Sequence, residues 1–312
     1  MGRGERGDLS DAEWERLRPF LPVSNGRCGL WRDHRQVIDG ILHRVRTRVH
    51  WRDLPERFGP WKTVYERHRL WSADGTWERL LQQVRAAADA AGEIDCDISV
   101  DSTIVRTPAR GRRPHRSTTG SCRLNGGRVS GTPGRNSVAE PRRPAGGGGA
   151  GGEDLGRSRG GFTSKIQLSA DGRCRPLSLI VTPGQRADCT QHIPVLEKIR
   201  VLRPGLGGPR KKPDSIAADK AYSNGPCRQY LRRRAIHHTI PEKADSQAAR
   251  LRKGSEGGQP PGFDEERYKK RTVERAINRL KNSRAVATRY DKRGCVFLGP
   301  VTAAALVIWI RT

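Results

Sequence analysis

The sequence predicts an α/β protein in which a small all-helical domain precedes a mixed five-stranded sheet covered by helices. Three observations support this fold class. Apolar residues recur at helical spacing through roughly the first 90 residues, residues 98–105 alternate apolar and polar side chains as a strand does, and strand-like and helix-like segments alternate after residue 160. We therefore expect a helical domain at residues 1–92 and an α/β domain at residues 93–312.

The helical domain begins with a capping signal. Ser10 followed by Glu13 forms a capping box, in which the two side chains satisfy free amides at a helix start. Trp14, Leu17 and Leu21 then recur at helical spacing. Residues 37–45 give a second helix with the same kind of apolar face.

A third helix fits residues 61–71, and a fourth starts at Thr76 after a turn at residues 72–75. Two helices joined by a short glycine-containing turn resemble a helix-turn-helix unit, but helical hairpins that bind no DNA have the same pattern. Arg67, His68 and Arg69 lie on the first helix of this pair and are candidate DNA contacts.

The second domain alternates strands and helices. Strands are expected at residues 98–105, 162–170, 176–181, 214–219 and 235–240, with a hairpin turn at Asp171 and Gly172. Helices are expected at residues 190–201, 223–234, 265–288 and 301–310. Three strands, then helices alternating with two further strands, and a final helix are the element order of an RNase H-like core.

A compositionally different segment interrupts this domain. Residues 106–160 hold twelve Arg, no Lys and three acidic residues, together with a run of glycines. Such a segment has too little apolar surface to offset the entropy of ordering, so we expect a flexible Arg/Gly-rich insertion at about residues 107–158. Two roles stay open: a non-specific clamp on DNA, or a linker without a site of its own.

The charge of the chain bears on its partners. A net charge of +27 and a pI near 10.9 favour a polyanion, because each neutralised phosphate releases condensed counterions. Anionic membranes are the competing partner, but the apolar stretch at residues 301–310 is shorter than the roughly 20 residues of a spanning helix and is read as a core helix. The first 17 residues contain no apolar run that could be a signal peptide, so we expect a cytoplasmic, nucleoid-associated protein that does not bind a membrane. Seven scattered cysteines without a C-x-x-C pair argue against a disulfide framework or a zinc ribbon.

Three acidic residues lie where a metal site needs them. Asp101 lies on the first strand, Asp219 ends the fourth strand, and Glu274 lies early in a long helix. A carboxylate buried among apolar residues is unfavourable unless it is paired or metal-bound. Mg²⁺ prefers a few carboxylates and completes its shell with water and phosphate oxygens. Each acid taken alone also fits a helix cap or an ion pair.

The helix after residue 272 has two stripes. Val273, Ile277 and Leu280 form an apolar face, while Glu274, Asn278 and Lys281 align on a second face, since seven residues are nearly two turns. An acid that binds metal, with an amide and an ammonium group along the same face, is suited to contact the phosphates of a DNA strand. An ordinary solvated face is the alternative.

Several motifs resemble bacterial insertion-sequence DDE transposases, in particular the insertion sequence five group of the insertion sequence four/five class. The resembling segments are residues 51–77, 100–106 (VDSTIVR), 156–185, 218–223 (ADKAYS) and 268–291. The resemblance implies that Asp101, Asp219 and Glu274 are the catalytic, metal-binding triad of an RNase H-like core. It also implies DNA contacts, for which the candidates on the catalytic domain are Tyr268, Arg271, Asn278, Lys281 and Lys220.

The chain departs from the family signature at one place. The family places three residues between the signature Arg and Glu, whereas only Thr272 and Val273 separate Arg271 from Glu274. Either Tyr268 and Arg271 are the signature residues with one position lost, or Arg267 and Lys270 occupy their places. The triad is the same in both alignments.

The implied function is metal-dependent cleavage of DNA at insertion-sequence ends, followed by attack of the freed 3′-hydroxyl on target DNA. The implied cofactor is Mg²⁺, two ions, with Mn²⁺ able to substitute. The implied partners are double-stranded DNA, as terminal inverted repeats and as target, and a second copy of the chain. The alternatives are a decayed transposase that still binds DNA, an RNase H-like nuclease without strand transfer, and a protein that only binds nucleic acid.

Overall fold

Four helices form the N-terminal part of the chain in the computed structural model, which describes residues 7–23, 33–108, 153–158, 161–203, 207–291 and 293–312. They are α1 (Asp11–Leu17), α2 (His34–Thr47), α3 (Trp61–Ala73) and α4 (Thr76–Ala90). The capping box is confirmed, because Ser10 Oγ accepts from Glu13 N at 3.3 Å and Glu13 Oε2 accepts from Ser10 N at 2.8 Å.

The turn between α3 and α4 lies where the sequence places it. Gly75 adopts a left-handed conformation with φ of 75°, which glycine adopts without a steric penalty. Asp74 Oδ1 accepts from the backbone N–H of Thr76 at 2.9 Å and so caps the start of α4. The rings of Trp71 on α3 and Trp77 on α4 pack edge to face, with their centroids 5.2 Å apart, and this contact stabilises the packing of the two helices.

A mixed sheet forms the centre of the second half. Its strands are β1 (Asp97–Arg106), β2 (Gly156–Ser158), β3 (Gly161–Ala170), β4 (Pro176–Pro183), β5 (Ser215–Ala218) and β6 (His237–Thr239). On one side, β1 pairs antiparallel with β3, and β3 pairs antiparallel with β4. On the other side, β1 pairs parallel with β5, and β5 pairs parallel with β6. This arrangement agrees with the α/β class expected from the sequence.

The expected strand number is wrong for the described residues, because the sheet has six strands and not five. The additional strand is β2, which lies within the segment 107–158 expected to be a flexible insertion. It pairs with the first residues of β3, whose edge is free there because β4 ends at Pro183. The rest of that segment, residues 109–152, lies outside the described residues.

Helices cover both faces of the sheet. On one face lie α5 (His192–Glu197) and α6 (Gly225–Arg233), and Ser178 on β4 donates its hydroxyl to Val195 O on α5 at 2.8 Å. The helix α7 (Ala244–Arg252) follows β6. On the opposite face lie α9 (Val273–Lys281), α10 (Arg284–Ala287) and α11 (Gly294–Arg311). The site described below lies on the face that carries α9.

The continuous helix expected at residues 265–288 is wrong. The structure divides it into α8 (Glu265–Lys269), α9 and α10. The first break occurs because Thr272 is held by the sheet: its backbone N–H donates to Ser99 Oγ at 3.1 Å and its hydroxyl donates to Asp171 O at 2.6 Å. An N–H engaged in this way cannot continue the helical ladder.

The apolar C-terminal segment is a buried core helix, as the sequence predicts. The helix α11 packs against α3 and α4 on one side and against β4 on the other, where Trp309 Nε1 donates to Pro176 O at 2.7 Å. It is the one helix of the described residues long and apolar enough to cross a membrane, but 72% of it is buried within the protein, as in the core of a soluble domain. The described residues before and after position 92 thus share one hydrophobic core.

Candidate active site

Two of the expected acids lie on neighbouring strands, Asp101 in the middle of β1 and Asp219 directly after the end of β5. In the parallel pairing of β1 with β5, Val100 lies opposite Ala218. The residue that follows Val100 in β1 is Asp101, and the residue that follows Ala218 at the end of β5 is Asp219. Because neighbouring strands are about 4.8 Å apart, this register places the two carboxylates next to each other.

The third acid reaches the same place through α9. Ser99 and Asp101 lie on one face of β1, because side chains alternate along a strand. Thr272 is hydrogen-bonded to Ser99, and α9 begins at the following residue. Glu274 therefore lies in the first turn of α9, beside the face that carries Asp101.

The electrostatics of Asp101 show that the three acids interact. Burial raises the pKa of Asp101, and the negative charges of Asp219 and Glu274 raise it further, to about 6. The N–H of Ser102 and the guanidinium of Arg271 act in the opposite direction but do not compensate. A cation bound nearby stabilises the ionised form of a carboxylate that is repelled in this way.

Each acid is paired with a local donor in this structure. Asp101 Oδ1 accepts from Ser102 N at 2.7 Å, and Asp219 Oδ1 accepts from Lys220 N at 2.7 Å. Glu274 Oε1 lies 2.8 Å from Arg271 Nη2. With the side chains in these positions, the described ranges contain no group of three His, Cys, Asp or Glu residues at metal-binding distances.

The donor set nevertheless fits a hard divalent cation, since it consists of carboxylates alone. The side chain of Glu274 is 64% exposed, so a rotation about its own bonds can move it from Arg271 toward Asp101. Asp101 is half-buried, and the repulsion that raises its pKa is what a bound cation would relieve.

The residues of the two alternative alignments of the family signature have different surroundings. The hydroxyl of Tyr268 donates to Asp219 Oδ1 at 3.4 Å, and the guanidinium of Arg271 lies over the Tyr268 ring at 4.0 Å. Arg267, by contrast, pairs with Asp97 at 3.2 Å. The geometry therefore brings Tyr268 and Arg271 to the acids, as the alignment with one position lost requires.

The two stripes of α9 are arranged as the spacing predicts. Val273, Ile277 and Leu280 are buried, whereas Glu274 and Asn278 are exposed and Lys281 is half-buried on the same side. Lys220 is exposed directly after Asp219. Lys220 thus follows one acid directly, and Asn278 and Lys281 lie about one and two turns beyond another acid on α9.

The N-terminal candidates differ from one another. Arg69 is exposed on α3. Arg67 is half-buried, lies over the Trp71 ring at 5.6 Å and has His34 Nδ1 within 3.3 Å. His68 is wrong as a DNA contact: it is only 2% exposed and lies between the rings of Trp51 and Trp77, so no phosphate can reach it in this conformation.

Sequence reasoning missed a fourth acid, Asp188, which lies behind the sheet. It accepts hydrogen bonds from Ser102, Lys165 and Gln167. A signal for this cluster was present in β3, where Lys165, Gln167 and Ser169 occupy alternate positions of a strand in a sheet expected to be covered by helices. Polar side chains on a covered face of a sheet need partners.

Two family models match the chain. Residues 93–296 match the model described as "Transposase DDE domain", and residues 9–81 match the model described as "Putative transposase of IS4/5 family". The chain belongs to the DDE transposases of the IS4/IS5 class. It is therefore a DNA transposase, an enzyme that acts on DNA, and its mixed sheet with flanking helices is the RNase H-like arrangement of that domain.

Relatives of this transposase agree with the assignment. An uncharacterized protein from Sinorhizobium fredii is 34% identical over 122 residues, which are 39% of this chain and 88% of that protein. The "Insertion element IS402 uncharacterized 16.2 kDa protein" of Burkholderia cepacia is 34% identical over 34% of this chain and 77% of its own length. The "Putative transposase for insertion sequence element IS6501" of Brucella ovis is 28% identical over 48% of this chain and its own entire length. No solved structure matches the chain.

The family assignment narrows the alternatives drawn from the sequence. A nuclease without strand transfer, a decayed transposase and a protein that only binds nucleic acid are not favoured by these matches. Members of the family use divalent metal ions and act on DNA.

Proposed function

We propose that Asp101, Asp219 and Glu274 bind the divalent metal with which this transposase cleaves DNA at the ends of its element and joins them to a target. The observation that carries the proposal is the convergence of the three acids, expressed in the raised pKa of Asp101. Mg²⁺ is the ion that best fits three carboxylates and phosphate oxygens, two ions are expected, and Mn²⁺ can substitute. Bound there, the metal supplies Lewis acidity toward the attacking hydroxyl and the leaving oxygen.

The chain's own residues bind and orient the DNA. Lys220 and Lys281 are the ammonium groups near the acids, and Asn278 lies between Glu274 and Lys281 on α9. Arg271 can form a bidentate contact with a phosphate once Glu274 turns toward Asp101. The guanidinium of Arg271 stacks on the Tyr268 ring, and this contact orients the guanidinium group.

The helical N-terminal part is proposed to recognise the terminal inverted repeats. Support comes from the helix pair α3–α4 with its two-residue turn and from the exposed Arg69, with Arg67 beside it. Two ends must be brought together for joining, so the active form is proposed to be a homodimer on double-stranded DNA. A cytoplasmic, nucleoid-associated location follows from the DNA substrate.

The test uses the full chain and a supercoiled plasmid that carries the DNA flanking its gene. Nicking at the inverted repeats in Mg²⁺ or Mn²⁺, its loss in EDTA, and joined product from pre-cut ends are expected. Cleavage without joining would instead identify a nuclease. DNA binding without cleavage in either metal would identify an inactive transposase, and an Asp101→Asn variant as active as the wild type would remove the proposed metal site.

A further inference from the structure

The acid behind the sheet, Asp188, has an unusually complete set of donors. Its Oδ1 accepts from Ser102 Oγ at 2.8 Å and from Gln167 Nε2 at 2.9 Å. Lys165 Nζ lies 2.9 Å from Oδ1 and 3.1 Å from Oδ2. The side chains of Asp188 and Lys165 are only 23% and 13% exposed, so this charge-assisted cluster is largely shielded from water.

The first link leads from Asp188 to Asp101. Ser102 follows Asp101 on β1, so their side chains point to opposite faces of the sheet. The Ser102 hydroxyl is bonded to Asp188 on the rear face, while the Ser102 backbone N–H donates to Asp101 Oδ1 on the front face at 2.7 Å. Ser102 therefore connects the rear acid to the orientation of the front one.

The second link leads from Asp188 to Asp219. The hydroxyl of Tyr222 donates to Gln167 Oε1 at 3.3 Å, and Gln167 donates in turn to Asp188. The backbone N–H of Tyr222 donates to Asp219 O at 2.9 Å and closes the single turn that Asp219 begins. Tyr222 and Gln167 are fully buried, so they have little freedom to shift separately.

We propose that Asp188 is a positioning residue for the metal site, which holds Asp101 and Asp219 at the separation that shared ions require. This inference rests on the proposed function of the triad. Asp101 and Asp219 repel each other when both are ionised, and an anchor behind the sheet helps to oppose that repulsion before metal binds. Groups that orient metal ligands from behind commonly change metal affinity or activity by about 10- to 100-fold when removed.

The experiment compares Asp188→Ala with wild type in the full chain. We expect the Mn²⁺ concentration for half-maximal nicking to rise by about tenfold or more, and Mn²⁺ affinity measured by calorimetry in the absence of DNA to fall by a similar factor. Affinity for end DNA in EDTA should stay unchanged. An unchanged Mn²⁺ midpoint and Mn²⁺ affinity in Asp188→Ala would overturn the proposal.

A matched control separates positioning from loss of stability. Glu242, in the segment after β6, and Arg250 on α7 form an ion pair of similar length and burial, 3.1 Å with side chains 19% and 18% exposed. Glu242→Ala should lower the melting temperature by a similar amount and leave the Mn²⁺ midpoint unchanged. If it raises the midpoint as much as Asp188→Ala does, the effect is general destabilisation and the proposal is wrong.

Two milder variants keep the proposal testable should Asp188→Ala not fold. Ser102→Ala removes the hydroxyl that links Asp188 to the strand of Asp101, and Tyr222→Phe removes the hydroxyl that links Gln167 to the turn of Asp219. Each should raise the Mn²⁺ midpoint, and the two should be non-additive because they act through one acid. Normal midpoints in both variants would contradict positioning by Asp188, whereas Mn²⁺ affinity that survives Asp101→Asn would instead contradict the metal triad itself.

Discussion

Arg271 and Glu274 form an ion pair of 2.8 Å although no continuous helix joins them. The chain leaves helical geometry between α8 and α9, and Thr272 is bonded to Ser99 and Asp171 instead. The pair therefore meets across a break in the helix. This break accommodates the short spacing between the signature Arg and Glu, because Arg271 reaches the acids from a non-helical position.

Inserting Asn between Arg271 and Thr272 restores the spacing of the family and should lower strand joining by about 100-fold. On a continuous helix the insertion would have improved the position of Arg271. In this structure it must displace either Arg271 from Glu274 or Thr272 from its two partners on the sheet. A shift of about 1 Å in such groups is enough for a loss of this size. Strand joining is measured with pre-cut ends.

The control is an Asn inserted between Gly258 and Gln259, in an exposed stretch outside helices and strands. Exposed loops tolerate insertions, so this variant should join ends at the wild-type rate. Faster joining by the insertion after Arg271 would show that the break is a defect of this chain and not an adaptation.

Replacing the acids by their amides should abolish nicking while DNA affinity stays near normal. Asp101→Asn, Asp219→Asn and Glu274→Gln each remove a ligand charge and preserve size, whereas affinity for DNA comes mainly from Lys and Arg. Glu265→Gln is the matched control, because Glu265 is an exposed acid on α8 that pairs with Lys269. Metal-dependent nicking retained by any one triad variant would remove that residue from the site.

The sequence was sufficient to predict the sheet around the acids. The alternation in β1 and the hairpin signal at Asp171 depend on local patterns, and both correspond to elements of the structure. The three acids could be named because the family motifs mark them. Their convergence depends on the pairing of β1 with β5, which brings together residues more than a hundred positions apart and leaves no local trace.

Two features escaped prediction for identifiable physical reasons. The break before α9 is caused by tertiary hydrogen bonds from Thr272, which outweigh the helical pattern around it. His68 lies between two basic residues in sequence, yet it occupies the inward position of α3 and packs on Trp51 and Trp77. Local charge in a sequence does not distinguish the outer from the inner face of a short helix.

Arg69 and His68 should respond differently to substitution. Arg69→Ala removes an exposed charge, so stability should change by less than about 0.5 kcal/mol, while the slope of log affinity against log salt for end DNA should fall by about one. His68→Ala leaves a cavity between two indole rings and should lower the free energy of unfolding by about 2 kcal/mol or more. Its salt slope should equal that of wild type at a temperature where it is folded. A reduced slope for His68→Ala with an unchanged slope for Arg69→Ala would reverse the assignment.

His192 should make the protein sensitive to acid. It is fully buried beside Tyr222, and among the described residues neither ring nitrogen has a hydrogen-bond partner. Burial, with a smaller contribution from His238, lowers the pKa of His192 from 6.5 to about 4. Between these pH values the unfolded chain binds a proton at this position and the folded chain does not. His192 therefore leaves the free energy of unfolding unaffected by pH above pH 6.5. As the pH falls from 6.5 toward 4, the free energy of unfolding decreases by about 3 kcal/mol in total because of this residue.

His192→Leu should flatten this dependence. At pH 7 the variant should be as stable as wild type or about 1 kcal/mol more stable, since it removes an unpaired buried polar group at similar volume. Urea unfolding at several pH values between 7 and 4.5 measures both effects as a difference between the two proteins. Asp39, whose pKa burial raises to about 6, acts in the opposite direction over part of this range, but its contribution cancels in that difference. Equal losses of stability in both proteins between pH 6.5 and 4.5 would show that His192 is already protonated, or already solvated, in the folded state.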